Sequence, residues 1–547
     1  MTNPSHATAR IGIPELLSRL ASSEEHSLVD VREEGAFGND GHILLAVCVP
    51  LSQLELRFPV VIPRKSTRVV LTDGGDGVLS ARAAHVLAHL GYSDVVILDG
   101  GLAAWKDAGR EVFTGLNVVS KAFGEHVEHV YATPRLGAEE LQALLSSGRD
   151  VAVLDSRTPR EFHNMSIPGA IGCEGAELVR RAHEAITSPE TIVVVNCAGR
   201  TRSIIGAQSL INAGIANPVF SLENGTMAWL MAGYELDHGK TLKVALPSAE
   251  NLARSRAAAD ALVQRFGLEQ IDTATLDRLR GEGEQRSLYL LDVRTEEEYL
   301  EGHLPGAAWA VSGQLVQALD RWVATRNARI VLVDDEDGIR AAVAASWIRQ
   351  IGWGEVFIHK VPTSATTEKG AGASVAASIP QVPTIAAADL AAGLKAGGLT
   401  LIDLAPSSAY AAGHIAGAQF AIRAKLSSAD LPAGHMIVLT SPDGVLARFA
   451  AADLIAEGHA VSILEGGTAA WSASPLVADD GLYLHEPDDV FVSAYQKPDR
   501  FKAFQEYLDW EVGLLEQLER DGTLTFPAIP QSPNFDAPRA RQAEVAA

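Results

Sequence analysis

One unit recurs four times along this chain, and any fold proposed for it must contain that unit four times. Each copy opens with a short apolar strand ending in aspartate: SLVDVR with Asp30, AVLDSR with Asp155, YLLDVR with Asp292 and LTLIDLA with Asp403. A second signature follows: DGHILLA (Asp40 to Ala46), MSIPGA (Met165 to Ala170), GHLPGA (Gly302 to Ala307) and AGHIAGA (Ala412 to Ala418). Next come a β-branched run, a short polar loop and an Ala-rich helical pattern, as in TIVVVNCAGRTRSIIGAQSLINAG. Three copies close with a strand and a turn before Trp105, Trp229 and Trp471, which their recurrence marks as core; the third has only EVFIHK there.

The runs IVVV and IVLV are continuous rather than alternating, as expected of strands covered on both faces in a parallel sheet. Gly91, Gly214, Gly352 and Gly458 follow the Ala-rich patterns and read as C-caps. Strand, loop, helix, strand is the grammar of a βαβ unit. The fold class is therefore α/β, with four tandem domains, each a parallel sheet flanked by helices, and a helical C-terminal tail. The boundaries fall at 8–115, 130–240, 268–362 and 382–478, with the tail at 479–547. TSATTEKGAGASVAASIPQ reads as a flexible linker and AENLARSRAAADALVQRFG as an extra helix. In the tail, DRFKAFQEYLDWEVGLLEQLERDG is an amphipathic helix expected to pack on a domain, and residues from about Gln531 read as disordered.

The four strand-to-helix loops differ in one chemically decisive way. The second reads Cys197-Ala198-Gly199-Arg200-Thr201-Arg202-Ser203, whereas the others begin at Asp73 (or Gly74, the first loop having one extra residue), Asp335 and Ser441. Backbone N–H groups at such a loop converge into an anion nest, helped by the helix dipole. A cysteine at its mouth is expected to have its thiolate stabilised and its pKa lowered. Arg200 and Arg202 read as anion-binding groups rather than as solvated surface charges. Asp155 and Arg157 read as a hydrogen-bonded pair supporting the loop, and Asn224 and Gly225 as a turn bordering the pocket. The loops at Asp73, Asp335 and Ser441 read as catalytically silent. Cys48 and Cys173 read as core cysteines.

Composition narrows the function classes. There are 45 Lys plus Arg against 68 Asp plus Glu, a formal net charge of −23. That disfavours nucleic acid and anionic membrane as partners. Three cysteines exclude a disulfide scaffold and a Cys-rich zinc site and fit a reducing compartment. The 16 histidines show no metal-ligand spacing, so no metal site is expected. With no basic N-terminal region leading into an apolar run and no stretch of roughly 20 apolar residues, the expected location is cytoplasmic.

Taken together, the Asp-x-Arg and Ile-Pro-Gly-Ala elements and the CAGRTRS loop resemble the rhodanese (sulfurtransferase) family, over about 470 residues in four copies. The second copy carries the fullest match, in LDSRTPREF, MSIPGAIGCEGAELVRR, VVVNCAGRTRSIIGA and LENGTMAW. The resemblance implies a five-stranded parallel sheet per domain and no cofactor. It makes Cys197 the nucleophile that takes sulfane sulfur from thiosulfate or a similar anionic donor and passes it, as a persulfide, to cyanide, a small thiol or a protein thiol. The loop 198–203 would bind the donor. Ser166 stands where the third and fourth copies have His303 and His414. Two other readings stay open: a non-catalytic or sulfur-relay scaffold, and a Cys-based phosphatase or arsenate reductase. The second is disfavoured by a Cys-x4-Arg spacing one residue shorter than the Cys-x5-Arg of those enzymes.

Overall fold

A computed structural model describes residues 8–372, 379–432, 435–478, 481–528 and 530. It contains four five-stranded sheets, all with one strand order. In the second unit the order across the sheet is Arg135–Leu136, Val219–Leu222, Ile192–Asn196, Val151–Asp155, Ile171–Gly172. All pairs are parallel, with Asp155 in register with Asn196 and Leu222 with Leu136. The central strand Ile192–Asn196 is buried at every position, as its unbroken apolar run requires of a strand between two helical layers.

The two recurring sequence signatures prove to be halves of one device. In the first three units the arginine after the strand folds back on the aspartate and also donates to a carbonyl of the first or second residue of the second signature. Arg32 binds Asp30 and Gly41 O, Arg157 binds Asp155 and Met165 O, and Arg294 binds Asp292 and Gly302 O, at 2.6–2.8 Å. Asn196 adds a bond to Asp155 at 2.8 Å. A buried carboxylate is tolerable only when so compensated. The fourth unit has Ala405 in place of the arginine; Asp403 accepts from the Ala405 N–H at 2.9 Å, and burial pushes its carboxyl up to about 6.

Gly91, Gly214, Gly352 and Gly458 all have positive φ, as helix C-caps demand. The extra helix forms as Ala249–Phe266 and packs against helices of the second and third units, Glu177–Ala185 and Ile339–Ile351. Trp105 and Trp229 are buried, but Trp471 is only half-buried. The fourth unit has only a 3-10 turn, Thr468–Ala470, before Trp471, whereas Trp105 and Trp229 lie within the helices Gly101–Asp107 and Gly225–Met231. Part of the expected linker, residues 373–378, and the expected disordered segment from Gln531 lie outside the described residues. Among the described residues no helix is long and apolar enough to cross a membrane.

Two segments outside the repeat determine what surrounds the second unit. A helix at Val118–Tyr131 precedes it. The tail helix Arg500–Asp521 lies across that helix.

Candidate active site

Cys197 directly follows the strand Ile192–Asn196 and opens the loop that leads into the helix Thr201–Asn212. The loop is pinned from the far side by the short helix Gly225–Met231: Thr226 N donates to Cys197 O at 2.9 Å and Met227 N to Ala198 O at 3.1 Å. Gly225 has φ +53°, and a Cβ there would sit 2.3 Å from Cys197 O. The close approach of the two loops therefore needs glycine at this position. Ser203 points back into the loop, its hydroxyl donating to Arg200 O at 2.8 Å.

The expected fall in the Cys197 pKa is not what the structure gives. Cys197 is 2 % exposed. Burial pushes the thiol up, against the opposing pull of the Arg202 charge and of hydrogen bonds from the Ser203 hydroxyl and N–H, and the Glu511 carboxylate adds to the rise. The Ser203 N–H and hydroxyl and the Arg202 charge favour the thiolate, but desolvation of the closed site outweighs them.

The two loop arginines part company. Arg200 turns out of the loop and forms a forked pair with Glu125 at 2.7 Å on both arms, with further bonds to Glu128 at 2.6 Å and Asn224 Oδ1 at 3.0 Å. Its guanidinium is thus already engaged. Arg202 stays beside Cys197 and is held by Glu161 through two bonds of 2.7 Å. Burial alone would raise the Glu161 carboxyl, but the Arg202 guanidinium holds it down to about 2. Arg202 also lines a small cavity with Ser156, Thr201 and Ser312. The Asp155–Arg157 pair lies under the loop, both residues buried.

Sequence reasoning missed the roof. The tail helix and the turn before it close over the loop. The Tyr495 hydroxyl donates to Ala198 O at 3.0 Å and lies 2.6 Å from Thr226 Oγ1. The Thr201 hydroxyl donates to Glu511 Oε1 at 2.5 Å. A Cβ on Gly199 would lie 3.2 Å from the Tyr507 ring. Met227, Phe504 and Leu508 form a small apolar cluster that seats this roof. The amphipathic stripe announced that the helix would pack; nothing in its spacing named the surface it covers.

The three loops without cysteine fill the same position differently. In the first unit Asp73 turns its carboxylate inward and accepts from Gly75 N (3.0 Å), Gly77 N (3.2 Å) and Ser80 N (3.0 Å). In the third, Asp335 accepts from Asp337 N at 2.9 Å, Asp334 accepts from Ala341 N at 3.0 Å, and Arg340 binds both carboxylates. In the fourth, Ser441 Oγ accepts from Ala447 N at 3.3 Å. Cys48 is half-buried and Cys173 buried; all three cysteines are free. Among the described residues no cluster of His, Cys, Asp and Glu could hold a metal ion.

Comparison with known proteins agrees with this geometry. The family description "Rhodanese-like domain" matches residues 13–108, 137–232, 272–360 and 386–474. A crystal structure of a thiosulfate sulfurtransferase from Pseudomonas aeruginosa superposes with a TM-score of 0.90 at 43 % identity, covering 95 % of this chain and 100 % of that one. Two curated relatives match over shorter stretches. A Pseudomonas aeruginosa protein described as "Probable 3-mercaptopyruvate sulfurtransferase" is 37 % identical over 112 residues, 20 % of this chain. A Mycobacterium tuberculosis protein described as "Putative thiosulfate sulfurtransferase SseB" is 37 % identical over 120 residues, also 20 % of this chain. The matched stretches span 38 % and 40 % of those relatives' own lengths. With the repeated sheet order and the four matched segments pointing the same way, the chain belongs to the rhodanese family.

Proposed function

We propose that the protein is a sulfurtransferase of the thiosulfate type that carries sulfane sulfur on Cys197, the other three units serving as structural partners. The observation that carries the reading is the contrast at one loop position. Where the first unit places a permanent carboxylate against inward-facing amides, the second places a thiol. A site that holds a carboxylate anion through three N–H groups is suited to hold a persulfide anion.

In the first half-reaction the Cys197 thiolate attacks the outer sulfur of thiosulfate. The sulfur–sulfur bond to the sulfonate breaks, sulfite leaves with the bonding pair, and Cys197 becomes a persulfide. In the second, an acceptor takes the outer sulfur and the pair returns to Cys197. The Ser203 N–H and hydroxyl and the Arg202 charge stabilise the sulfur anion in both. Arg202, Thr201 and Ser203 face the donor in this reading, with Ala198 and Gly199 supplying backbone. Arg200 orders the loop through Glu125. Asp155 and Arg157 support the loop from beneath. The compact basic site and the name of the similar Pseudomonas structure favour thiosulfate over 3-mercaptopyruvate as donor. Cyanide, a small thiol or a protein thiol can serve as acceptor, and no bound cofactor enters either step. Three free cysteines suit a reducing cytoplasm.

The test is mass spectrometry after thiosulfate treatment. One added sulfur on the Cys197 peptide, and none on those of Cys48 or Cys173, is the expected result; an unmodified Cys197 overturns the reading.

A further inference from the structure

The tail brings Tyr495 and Tyr507 to the Cys197 loop, and each is held by its neighbours. Tyr495 packs edge-on against the buried Phe504, with ring centroids 4.7 Å apart, and its hydroxyl is tied to Ala198 O and Thr226 Oγ1. The Tyr507 ring lies 5.5 Å from that of Trp510, and Lys121 from the helix Val118–Tyr131 sits over both rings at 4.7 Å from each. Glu511, one turn further along, accepts from Thr201 in the loop. The segment that leads into Tyr495 is pressed against the first unit, where Gly35 and Gly38 leave no room for a Cβ beneath Asp488 and Phe491. Rings fixed on several sides form a wall, because any shift disturbs several close-packed contacts at once.

The space left beside this wall is small. Cys197 is 2 % exposed. A Cβ on Gly199, two residues on, would stand 3.2 Å from the Tyr507 ring. The cavity lined by Arg202, Thr201, Ser156 and Ser312 has a volume of about 30 Å3, room for roughly one or two waters. A larger groove of about 720 Å3 runs beside the tail helix, but of the loop residues only Arg200 lines it. A species of a few atoms can be admitted by a small displacement of one ring. A cysteine on a folded protein brings its own surface with it, and needs the whole roof to leave.

We propose that Tyr495 and Tyr507, supplied by the tail and lying outside all four repeats, set the size of what reaches Cys197, and so restrict the sulfur acceptor to compact diffusible nucleophiles and exclude cysteines on folded proteins. This deepens the persulfide reading above and rests on it: of the acceptors that reading leaves open, the roof selects the small ones. With cyanide, the carbon forms a bond to the outer sulfur, the sulfur–sulfur bond to Cys197 breaks, its pair returns to Cys197, and thiocyanate leaves.

The experiment loads the full-length protein from thiosulfate, removes the donor, and follows loss of the outer sulfur by mass spectrometry with two acceptors of one chemistry and different size, 2-mercaptoethanol and a small folded protein bearing one exposed cysteine. In wild type the small thiol is expected to discharge Cys197 about 100-fold faster or more. In Tyr507→Ala or Tyr495→Ala that gap narrows by about tenfold, whereas Tyr507→Phe, which keeps the ring, retains it. A wild-type gap within about threefold overturns the proposal; so does a gap unchanged in both alanine variants. Wild type alone gives a second reading, the rate at which the unmodified Cys197 peptide is lost to N-ethylmaleimide and to a polymer-linked maleimide: a much slower reaction with the bulky reagent is expected, and equal rates overturn the proposal without any variant. Failure of wild type to take up sulfur from thiosulfate condemns the sulfurtransferase reading, while the maleimide comparison judges the roof by itself, so the two claims fail separately.

Discussion

In the first unit the loop after Arg68–Thr72, and in the second the loop after Ile192–Asn196, offer similarly arranged amides to different side chains. Asp73 meets Ser80 N seven residues on, and Cys197 meets Ser203 N six residues on, the first loop being one residue longer. The carboxylate is a permanent occupant that satisfies the loop and stiffens it. The thiol makes fewer such bonds, which under the proposed function leaves donors free for the sulfur anion. The comparison teaches that the backbone supplies a generic anion seat, and that one side chain decides whether the seat works as a strut or as a carrier. The roof differs as well: Tyr495, Tyr507 and Glu511 close over the second loop.

The largest break in the comparison is Cys197→Ser. Thiosulfate:cyanide sulfur transfer should fall by about 10³-fold or more, because no other group in the loop can form a persulfide. Equal activity in variant and wild type would leave the protein as a scaffold. Next comes Arg202→Met, expected to lower kcat/KM for thiosulfate by roughly 10–100-fold as the cation beside Cys197 is lost. Arg200→Met should act mainly on stability, since its guanidinium is spent on Glu125 and Glu128. A larger activity loss from Arg200 than from Arg202 in steady-state kinetics would reverse these roles.

The strut is tested by Asp73→Ala. Removing a carboxylate that satisfies three amides should cost about 2–3 kcal/mol in the first unit, read by chemical denaturation, with sulfur transfer retained. The smallest effect concerns acid. Glu161 has its carboxyl depressed to about 2 by Arg202, so its stabilising contribution is complete above the ordinary carboxylate range and drains away as pH falls toward 2. Asp403, without an arginine, is raised to about 6, so the folded state binds its proton more tightly than the unfolded chain does. Its burial is least costly below the ordinary carboxylate range and most costly above pH 6. Hydrogen exchange across pH 3–7 should show the fourth unit gaining protection relative to the second as pH falls. A parallel response of the two units would show that the missing arginine is without consequence.

The repeat made the four sheets legible, because continuous apolar runs ending in Asp admit few arrangements other than a covered parallel sheet. Cys197 was legible from its place between strand and helix. Its protonation was not, because desolvation depends on what lies above the loop, and the residues above it are about 300 positions away in the chain. Arg200 and Arg202 look equivalent in sequence. Their separation comes from Glu125, on a helix falling between the first two sequence domains, and from Glu161, which precedes the second signature. Trp471 looked like its counterparts because the strand before it matches theirs; the helix that carries Trp105 and Trp229 is replaced there by a 3-10 turn.

The roof is fastened well beyond the unit it covers. Near its far end the tail helix reaches the first unit, where Gln517 Nε2 donates to Val112 O at 2.9 Å, Arg520 pairs with Glu111 at 2.9 Å, and Arg110 donates to Asp521 O at 3.2 Å. With Cys197 enclosed, admitting a donor requires the loop or its cover to yield, and the cover is latched to a neighbouring unit whose loop has Asp73 in place of a cysteine. The first unit thereby becomes a tether on that cover, and under the proposed function the tightness of its grip bears on how often Cys197 meets its substrates.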